Sequence, residues 1–223
     1  MTARQARRLM RAILLCMLLT GQIVPGARAQ NSFGEQPAVA VPAKPQAPAQ
    51  STAPGTAAPP ATAAATDAAS QAERRDFGVP PASDLHAGAL HGPTPASIPG
   101  GQLITTQGLV ELRRNPQARA LVFDVLGGPE TLPGALAAVP AHRPGSFDDA
   151  TQREFGQFLH KVTQGRKDTP LVFYCQSIQC WMSYNASLRA IRLGYSQVLW
   201  YRGGVEAWKR AGQPVQAAQG GVR

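Results

Sequence analysis

The sequence predicts an α/β domain whose sheet is mostly parallel and flanked by helices. Three short apolar runs, at residues 120–125, 171–174 and 197–201, have the continuous apolar character of strands that are buried on both faces. Helical periodicity and turn residues separate one run from the next. Because strands and helices alternate, the pattern indicates parallel strands joined by helical crossovers, in a single domain over residues 104–217.

The first two helices are predicted from residues that cap helix N-termini. Thr105 and Thr106 can cap a short helix ahead of the first apolar run. Ser146 followed by Asp149 resembles a capping box for a second helix. The apolar face of this second helix consists of Phe155, Phe158, Leu159 and Val162.

A third helix is predicted over residues 183–193. The helical spacing places Arg189 and Arg192 on the outward side, and Gly194 ends the helix. Gly203-Gly204 then turns the chain into a last short helix at 205–212. The inward face of the third helix is formed by Met182, Ala186, Ala190 and Leu193.

Residues 1–29 have the three parts of a secretory signal peptide. MTARQARRLMR is basic, AILLCMLLTGQIV is an apolar run of 13 residues, and GARA ends in small residues suited to cleavage after Ala29. The apolar run is too short to span a bilayer comfortably, so no stable membrane span is expected after cleavage. An uncleaved anchor is the alternative. The leader is bacterial in style, and we expect the mature protein in the periplasm.

The composition changes after the leader. Residues 30–75 are dominated by Ala, Pro, Gln, Thr and Ser, with few large apolar residues, so they are predicted to form a disordered linker. Residues 76–103 are rich in Pro and Gly and are expected to be an irregular lead-in that packs partly on the domain. Residues 218–223 are a short tail.

The charge distribution argues against a nucleic-acid partner. The chain has 22 Lys+Arg and 13 Asp+Glu, a net charge of +9, but five of the arginines lie in the leader. The mature protein keeps 17 basic residues against 13 acidic ones, a net charge of +4. Nucleic-acid binding requires basic residues clustered on one face, and no such cluster follows the leader.

Two cysteines remain once the leader is removed. Cys175 ends the apolar run 171–174, and Cys180 follows just before the third helix. Ligands of parallel sheets bind beyond the carboxyl ends of the strands, and a helix N-terminus favours anions and the thiolate form of cysteine. Cys175 is therefore a candidate nucleophile, and a buried apolar cysteine is the alternative. An oxidising compartment is also compatible with a disulfide between the two.

Four segments in order resemble the rhodanese-like domains, across residues 104–216. LVFDV (121–125) is similar to the strand that carries their Asp-Val-Arg signature, and LPGA (132–135) to their Ile-Pro-Gly-Ala segment. VFYCQS (172–177) is similar to a strand and the start of the active-site loop. LGYSQVLWYRGGVEAW (193–208) is similar to the closing stretch. The resemblance implies a rhodanese-like fold and thiosulfate sulfurtransferase-like chemistry, without a cofactor.

The resemblance also implies roles for the residues of the loop. Cys175 would take sulfur from a small donor as a persulfide and pass it to an acceptor thiol or to cyanide. The role of Cys180 does not come from the resemblance: if the protein is an enzyme, Cys180 is the catalytic partner that attacks the persulfide or closes a resolving disulfide. The backbone N–H groups that would bind the donor anion belong to Gln176, Ser177, Ile178 and Gln179.

Two neighbouring residues are candidates for supporting roles. Asp124, at the end of the run 120–125, can orient a loop through its carboxylate. Trp181, at the start of the third helix, can shield the sulfur or bind a flat ligand. Each has an ordinary structural alternative, because carboxylates at strand ends often hold loops and tryptophan is usually well buried.

The sequence departs from the family pattern at the loop. The typical loop has an arginine five residues after the cysteine, where this chain has Cys180, and Leu126 stands where an arginine usually follows Asp-Val. The interval from Cys175 to Gly194-Tyr195 is also longer than usual. Backbone N–H groups must then hold the thiosulfate dianion without a charged side chain. The missing arginine argues against efficient thiosulfate turnover and against the related phosphatases.

CWMSYNA (180–186) resembles a narrower set of secreted bacterial proteins, named for a Cys-Trp motif and associated with pyrroloquinoline quinone-dependent catabolism. Their label describes two residues between the cysteines, whereas four lie between Cys175 and Cys180. This resemblance implies association with a periplasmic quinoprotein system. The direct reaction partner would be a small sulfur donor or a partner thiol protein.

Two alternatives to a sulfurtransferase keep the same fold. One is a binding or redox module in which the cysteine pair senses redox state or holds a soft metal such as copper. Two thiolates alone form an incomplete metal site, and no histidine has ligand spacing to the cysteines, so no metal site is expected. The other is a purely structural disulfide, which gains little entropy from closing so short a loop.

Overall fold

A five-stranded, entirely parallel sheet forms the centre of the protein, with the strand order β1-β6-β5-β2-β4. The structure is a computed structural model that describes Phe33 and residues 63–218. A separate antiparallel pair joins β3 to β7. The strands are β1 (Gln102–Ile104), β2 (Leu121–Asp124), β3 (Glu130–Thr131), β4 (Leu136–Ala137), β5 (Leu171–Tyr174), β6 (Val198–Tyr201) and β7 (Gln216–Ala217). The predicted α/β class is confirmed.

Helices cover both faces of the sheet, because alternate residues of each central strand point to opposite sides. Phe123 and Phe173 pack on one face, with apolar residues of the helices at residues 150–163 and 182–192. Val122 and Val172 pack on the other face, with Leu109 and Trp208. The helices are α1 (Ala63–Glu73), α2 (Thr106–Arg114), α3 (Ala150–Thr163), α4 (Met182–Arg192) and α5 (Gly204–Arg210). Short 3₁₀ turns lie at Pro116–Ala118 and Val139–His142.

The predictions for the N-terminal region are tested only in part. The predicted signal peptide (1–29) and most of the predicted linker lie outside the described residues. Within the predicted linker, residues 63–73 form α1, so the prediction of disorder is wrong there. The α1 residue Glu73 is 5% exposed, and its carboxylate accepts a hydrogen bond from the Thr106 N–H at 2.8 Å. Composition could not reveal this contact with a residue so far along the chain.

None of the helices described between residues 63 and 218 is long and apolar enough to cross a membrane.

Both edges of the sheet are formed by strands that the sequence did not predict. β1 lies at the end of the predicted lead-in and pairs with β6, and β4 lies between the first predicted strand and the second predicted helix and pairs with β2. These strands have three and two residues. Segments this short carry no hydrophobic period, so only their pairing partners identify them.

The predicted helix ends are partly confirmed. The Thr105 side chain accepts a hydrogen bond from Gly108 N–H and caps α2, and Gly194 follows α4 with a positive φ of 85°. The capping box at Ser146 is wrong, because Asp149 is the N-cap of α3. The Asp149 carboxylate accepts from the Gln152 N–H at 2.6 Å.

The outward placement of Arg189 is wrong, because its side chain is fully buried. The guanidinium donates to both carboxylate oxygens of Asp149, at 3.0 and 2.9 Å, and to the carbonyls of Arg143 and Ser146. It also donates to the Gln152 side chain. Arg189 thereby joins α4 to the start of α3 and to the loop before it. Arg192 is exposed, as predicted.

The start of α5 lies directly against the loop that follows β5. The Val205 N–H donates to the Cys175 carbonyl and the Glu206 N–H to the Gln176 carbonyl, both at 3.0 Å. Gly204 makes this approach possible, since a Cβ at Gly204 would lie 2.6 Å from the Cys175 oxygen and 2.5 Å from the Gln176 oxygen. Its φ of 63° also favours glycine. The Gly-Gly turn therefore fixes the position of the cysteine loop.

Arg189→Met is expected to lower the free energy of unfolding of the protein by about 3 kcal/mol, because it leaves the Asp149 carboxylate and two carbonyls without their buried donor. Urea unfolding measures this change. Arg192→Met, on the exposed side of the same helix, is the matched control and should cost less than about 1 kcal/mol. Equal losses in the two variants would contradict the structural role of Arg189.

The contribution of the Arg189–Asp149 pair should depend on pH. Burial alone would raise the pKa of Asp149, but hydrogen bonds from Arg189 and Gln152 outweigh burial and lower the pKa below its ordinary 3.8. A lowered folded-state pKa gives stability that is present above the unfolded pKa and is lost as pH falls through the folded pKa. The difference in stability between wild type and Arg189→Met should therefore shrink from about pH 7 to about pH 3. A constant difference would argue that packing, not charge, explains the effect.

Gly204→Ala is expected to cost at least about 3 kcal/mol of stability, because left-handed strain adds to a collision with two backbone oxygens. Gly212→Ala separates these effects, since Gly212 has a similar φ of 67° but no atom within 4 Å of the position that an added methyl group would take. The control should cost about 1–2 kcal/mol, from strain alone. Thermal or urea unfolding of both variants provides the comparison, and similar losses would show that the α5–loop contact is not tight.

Candidate functional site

Cys175 and Cys180 form a disulfide at the end of the central strand β5. Their Cα atoms are 6.3 Å apart, within the range that a disulfide spans. Cys175 follows directly after Tyr174, the last residue of β5, and Cys180 lies two residues before α4 begins. The structure thus brings together the two residues that the sequence proposed as catalytic partners, at the edge of the sheet where parallel folds bind ligands.

Both cysteines are buried, each with 1% of its surface exposed. They belong to the same apolar cluster as Phe123, Phe155 and Phe173. The four residues between the cysteines reach the surface or lie close to it. A reactant can therefore reach the two sulfurs only if the loop, or the segment packed over it, moves.

The lead-in segment covers one side of the loop. His91 and Cys180 form an isolated antiparallel bridge, in which the Gly92 N–H donates to the Gln179 carbonyl at 2.8 Å and the Trp181 N–H to the Leu90 carbonyl at 2.9 Å. With α5 on the other side, the backbone of the loop is held from two directions.

A buried arginine connects this cover to the sheet. Arg202, directly after β6, is 1% exposed and donates to both the side chain and the carbonyl of Thr94. The Thr94 hydroxyl in turn donates to the Ile178 carbonyl at 2.7 Å. Arg202 also donates to the carbonyls of Glu73 and Arg75. Sequence reasoning missed this network because Thr94 and Arg202 are 108 positions apart.

Asp124 holds a loop and a tyrosine. Its carboxylate accepts hydrogen bonds from the Leu126 and Gly127 N–H groups at 2.8 and 3.0 Å, and from the Tyr174 hydroxyl at 2.8 Å. Burial, together with the charge of Asp124, raises the pKa of Tyr174, so this hydroxyl stays protonated and donates to the carboxylate. Asp124 thereby fixes the loop after β2 next to the residue that precedes Cys175.

Trp181 packs beneath the lead-in. Its ring stacks on His86 with centroids 4.0 Å apart and meets Tyr184 edge-on at 5.1 Å. Only 7% of Trp181 is exposed. The flat group that stacks on Trp181 is thus the imidazole ring of His86. Asn185 holds the backbone of His86 in place, because its side chain accepts a hydrogen bond from the His86 N–H and donates one to the His86 carbonyl.

Gln176 of the loop, α5 and the segment at residues 126–130 line a groove of about 460 Å³. The Gln176 side chain donates to the Glu206 carboxylate at 2.8 Å, and the Gln179 N–H donates to Ser177 Oγ at 3.3 Å. That N–H, one of the four predicted to bind an anion, is therefore engaged within the loop. The charged residues of the groove are Glu130, Glu206, Lys209 and Arg210. Cations and carboxylates are thus present in equal number, and Lys209 is paired with Glu130 at 2.5 Å.

This arrangement is suited to sulfur chemistry that begins with reduction. A disulfide sulfur can be attacked by an incoming thiolate, and the released cysteine can then act as a nucleophile. Cys180 lies two residues before α4, and the N-terminus of a helix favours the thiolate form of a nearby cysteine. No arginine of the loop neutralises a dianion, because the fifth position after Cys175 is Cys180.

Comparison with known proteins identifies the domain. The family model of the rhodanese-like domain matches residues 106–211. A protein of Allochromatium vinosum named "Sulfurtransferase" is 36% identical over 76 residues, which are 34% of this chain and 69% of that protein.

Solved structures also align with the domain. A thiosulfate sulfurtransferase from Pseudomonas aeruginosa is 18% identical, with a TM-score of 0.40, over 53% of this chain and 21% of that one. A full-length protein from Lactobacillus plantarum is 16% identical, with a TM-score of 0.39, over 52% of this chain and 88% of that one. The family model and the Allochromatium relative show that the chain belongs to the rhodanese-like domain family.

Proposed function

We propose that this protein is a periplasmic sulfurtransferase in which Cys175 accepts sulfur as a persulfide and Cys180 resolves it. The observation that carries the proposal is the Cys175–Cys180 disulfide at the carboxyl end of β5 in a rhodanese-like domain. The family supports sulfur transfer in general. The position of Cys175 between a central strand and the start of α4 supports it as the sulfur-accepting residue.

The cycle starts from the disulfide, which has no free nucleophile. A partner dithiol reduces it and becomes a disulfide itself, leaving two thiols in the protein. The Cys175 thiolate then attacks the outer sulfur of thiosulfate. The sulfur–sulfur bond of thiosulfate breaks, sulfite leaves with the electron pair, and Cys175 carries a persulfide.

The persulfide has two fates. An acceptor thiol or cyanide can take the outer sulfur, which regenerates the Cys175 thiolate. Alternatively, the Cys180 thiolate attacks Cys175 Sγ, hydrosulfide leaves, and the disulfide forms again. By the second route, thiosulfate and two thiols give sulfite, hydrosulfide and one disulfide. The geometry supports this route, since the two cysteines already lie within disulfide reach.

The charges around the loop bear on the choice of donor. The loop has no arginine to neutralise a dianion, and the groove beside Gln176 contains two carboxylates as well as two cations. A persulfide presented by a partner thiol protein carries less charge and suits the site better than thiosulfate. The resemblance of residues 180–186 to the Cys-Trp-motif proteins supports a role as an accessory to pyrroloquinoline quinone-dependent oxidation in the periplasm.

A redox module is the second candidate function. The observation in its favour is that the two cysteines form a disulfide at the end of β5, a bond that can be reduced and formed again without transfer of sulfur. Among residues 63–218, no group of three or more His, Cys, Asp and Glu side chains could hold a metal ion. A soft-metal version of this module would therefore rest on the two sulfurs alone.

The test uses mature protein that has been reduced, freed of reductant under anaerobic conditions and incubated with thiosulfate. Wild type should release about one equivalent each of sulfite and sulfide and regain its disulfide, by the resolving reaction. Cys180→Ser should release sulfite but retain the sulfur, which added cyanide then removes as thiocyanate. Cys175→Ser should release neither product.

The outcomes separate the two functions. A persulfide of a small thiol is run beside thiosulfate, so that poor binding of the dianion is not mistaken for a lack of sulfur transfer. If reduced wild type takes sulfur from neither donor while its disulfide still equilibrates with a dithiol buffer, the redox module replaces the sulfurtransferase. Equal sulfide release by wild type and Cys180→Ser would contradict the resolving role of Cys180.

A further inference from the structure

Phe33 lies against α3, far from its neighbours in the described sequence. Its ring is 5.2 Å from the ring of Phe155 and 5.6 Å from that of Phe158, with interplanar angles of 28° and 21°. The next described residue, Ala63, lies 30 positions further along the chain. Phe33 is half-buried, whereas Phe155 is fully buried and Phe158 is 9% exposed.

The rings of α3 that receive Phe33 continue into the core. Phe158 meets Phe123 of β2 edge-on at 6.0 Å, and Phe155 meets Phe173 of β5 at 5.9 Å. Phe33 is thus the outermost member of an aromatic series that reaches the two central strands. This series belongs to the apolar cluster that also contains both cysteines. We call the surface formed by Phe155 and Phe158 the α3 groove.

The gain and the cost of this contact are of similar size. Burying one phenyl ring and adding two stacked ring contacts favours the bound form. Closing a loop of some 30 residues, most of them Ala, Pro, Gln, Thr and Ser, opposes it. A contact held by such a small balance is reversible, so the groove can exchange occupants.

We propose that the α3 groove is a docking site for an aromatic side chain, and that its occupant is Phe33 of the same chain. Phe33 stands four positions after Ala29, the predicted cleavage site. Docking would therefore hold on the domain a residue that lies close to the predicted mature N-terminus. This interaction surface lies outside the cysteine site and does not depend on the proposed sulfurtransferase activity.

The test places 4-fluorophenylalanine at position 33 of the mature protein and records its ¹⁹F spectrum. A docked ring should give a resonance shifted from that of the unfolded chain and independent of protein concentration. Phe158→Leu should move the resonance toward the unfolded position. Phe147→Leu removes a ring outside the groove and should leave it in place, and circular dichroism verifies that each variant is folded.

A peptide of residues 30–37, QNSFGEQP, tests the groove without altering it. Added in excess, this peptide should move the resonance toward the unfolded position, and its Phe→Ala version should be at least about tenfold weaker, because the anchoring ring is missing. An unshifted resonance in the unmodified groove would overturn the proposal. A shift that appears only at high protein concentration would overturn docking within one chain and assign the groove to Phe33 of a second copy.

Discussion

The site depends on two hydrogen bonds between backbones, from the N–H groups of Val205 and Glu206 to the carbonyls of Cys175 and Gln176. They set the distance between the start of α5 and the loop after β5, and that distance leaves no room for a side chain at Gly204. Because the loop is fixed at its beginning by α5, Cys180 returns close enough to Cys175 for a disulfide. The distance between the two cysteines thus depends on how closely two backbones approach.

The other side of the loop is held by a segment outside the range that matches the rhodanese-like family. Residues 90–94 donate to or accept from the backbone of residues 178–181, and Arg202 fastens Thr94 to the sheet. Two arginines of this protein are deeply buried and act in the same way. Arg202 fixes the lead-in, and Arg189 fixes the start of α3. In both cases the guanidinium satisfies carbonyls of irregular segments, which would otherwise be buried without donors. Arg202 thereby holds Thr94 beside the end of β6, and Arg189 holds residues 143–149 beside α4.

Much of the architecture could be predicted from local patterns. The central strands β2, β5 and β6 are buried on both faces, so they appear in the sequence as continuous apolar runs. Gly194 marks the end of α4 because the backbone there has a positive φ, which glycine adopts without strain. The position of the two cysteines was predictable for the same reason. Features that depend on distant partners could not be predicted. The helical period places Arg189 on the outward side of α4, but residues 143–149 cover its side chain and supply its hydrogen-bond acceptors. The helix α1 was not predicted, because its alanine-rich composition resembles that of the preceding linker. Its position depends on the contact of Glu73 with Thr106, which local sequence patterns cannot show.

In the proposed sulfur transfer, Cys175 carries the sulfur and Cys180 removes it. Intact-protein mass spectrometry of the reduced Cys180→Ser protein, after exposure to a small-molecule persulfide, tests this assignment most directly. We expect the added mass of one sulfur atom, located on Cys175 by peptide mapping and lost on treatment with cyanide. The absence of that mass in Cys180→Ser, or its appearance on Cys180 in the Cys175→Ser protein, would contradict the role of Cys175 as the sulfur carrier.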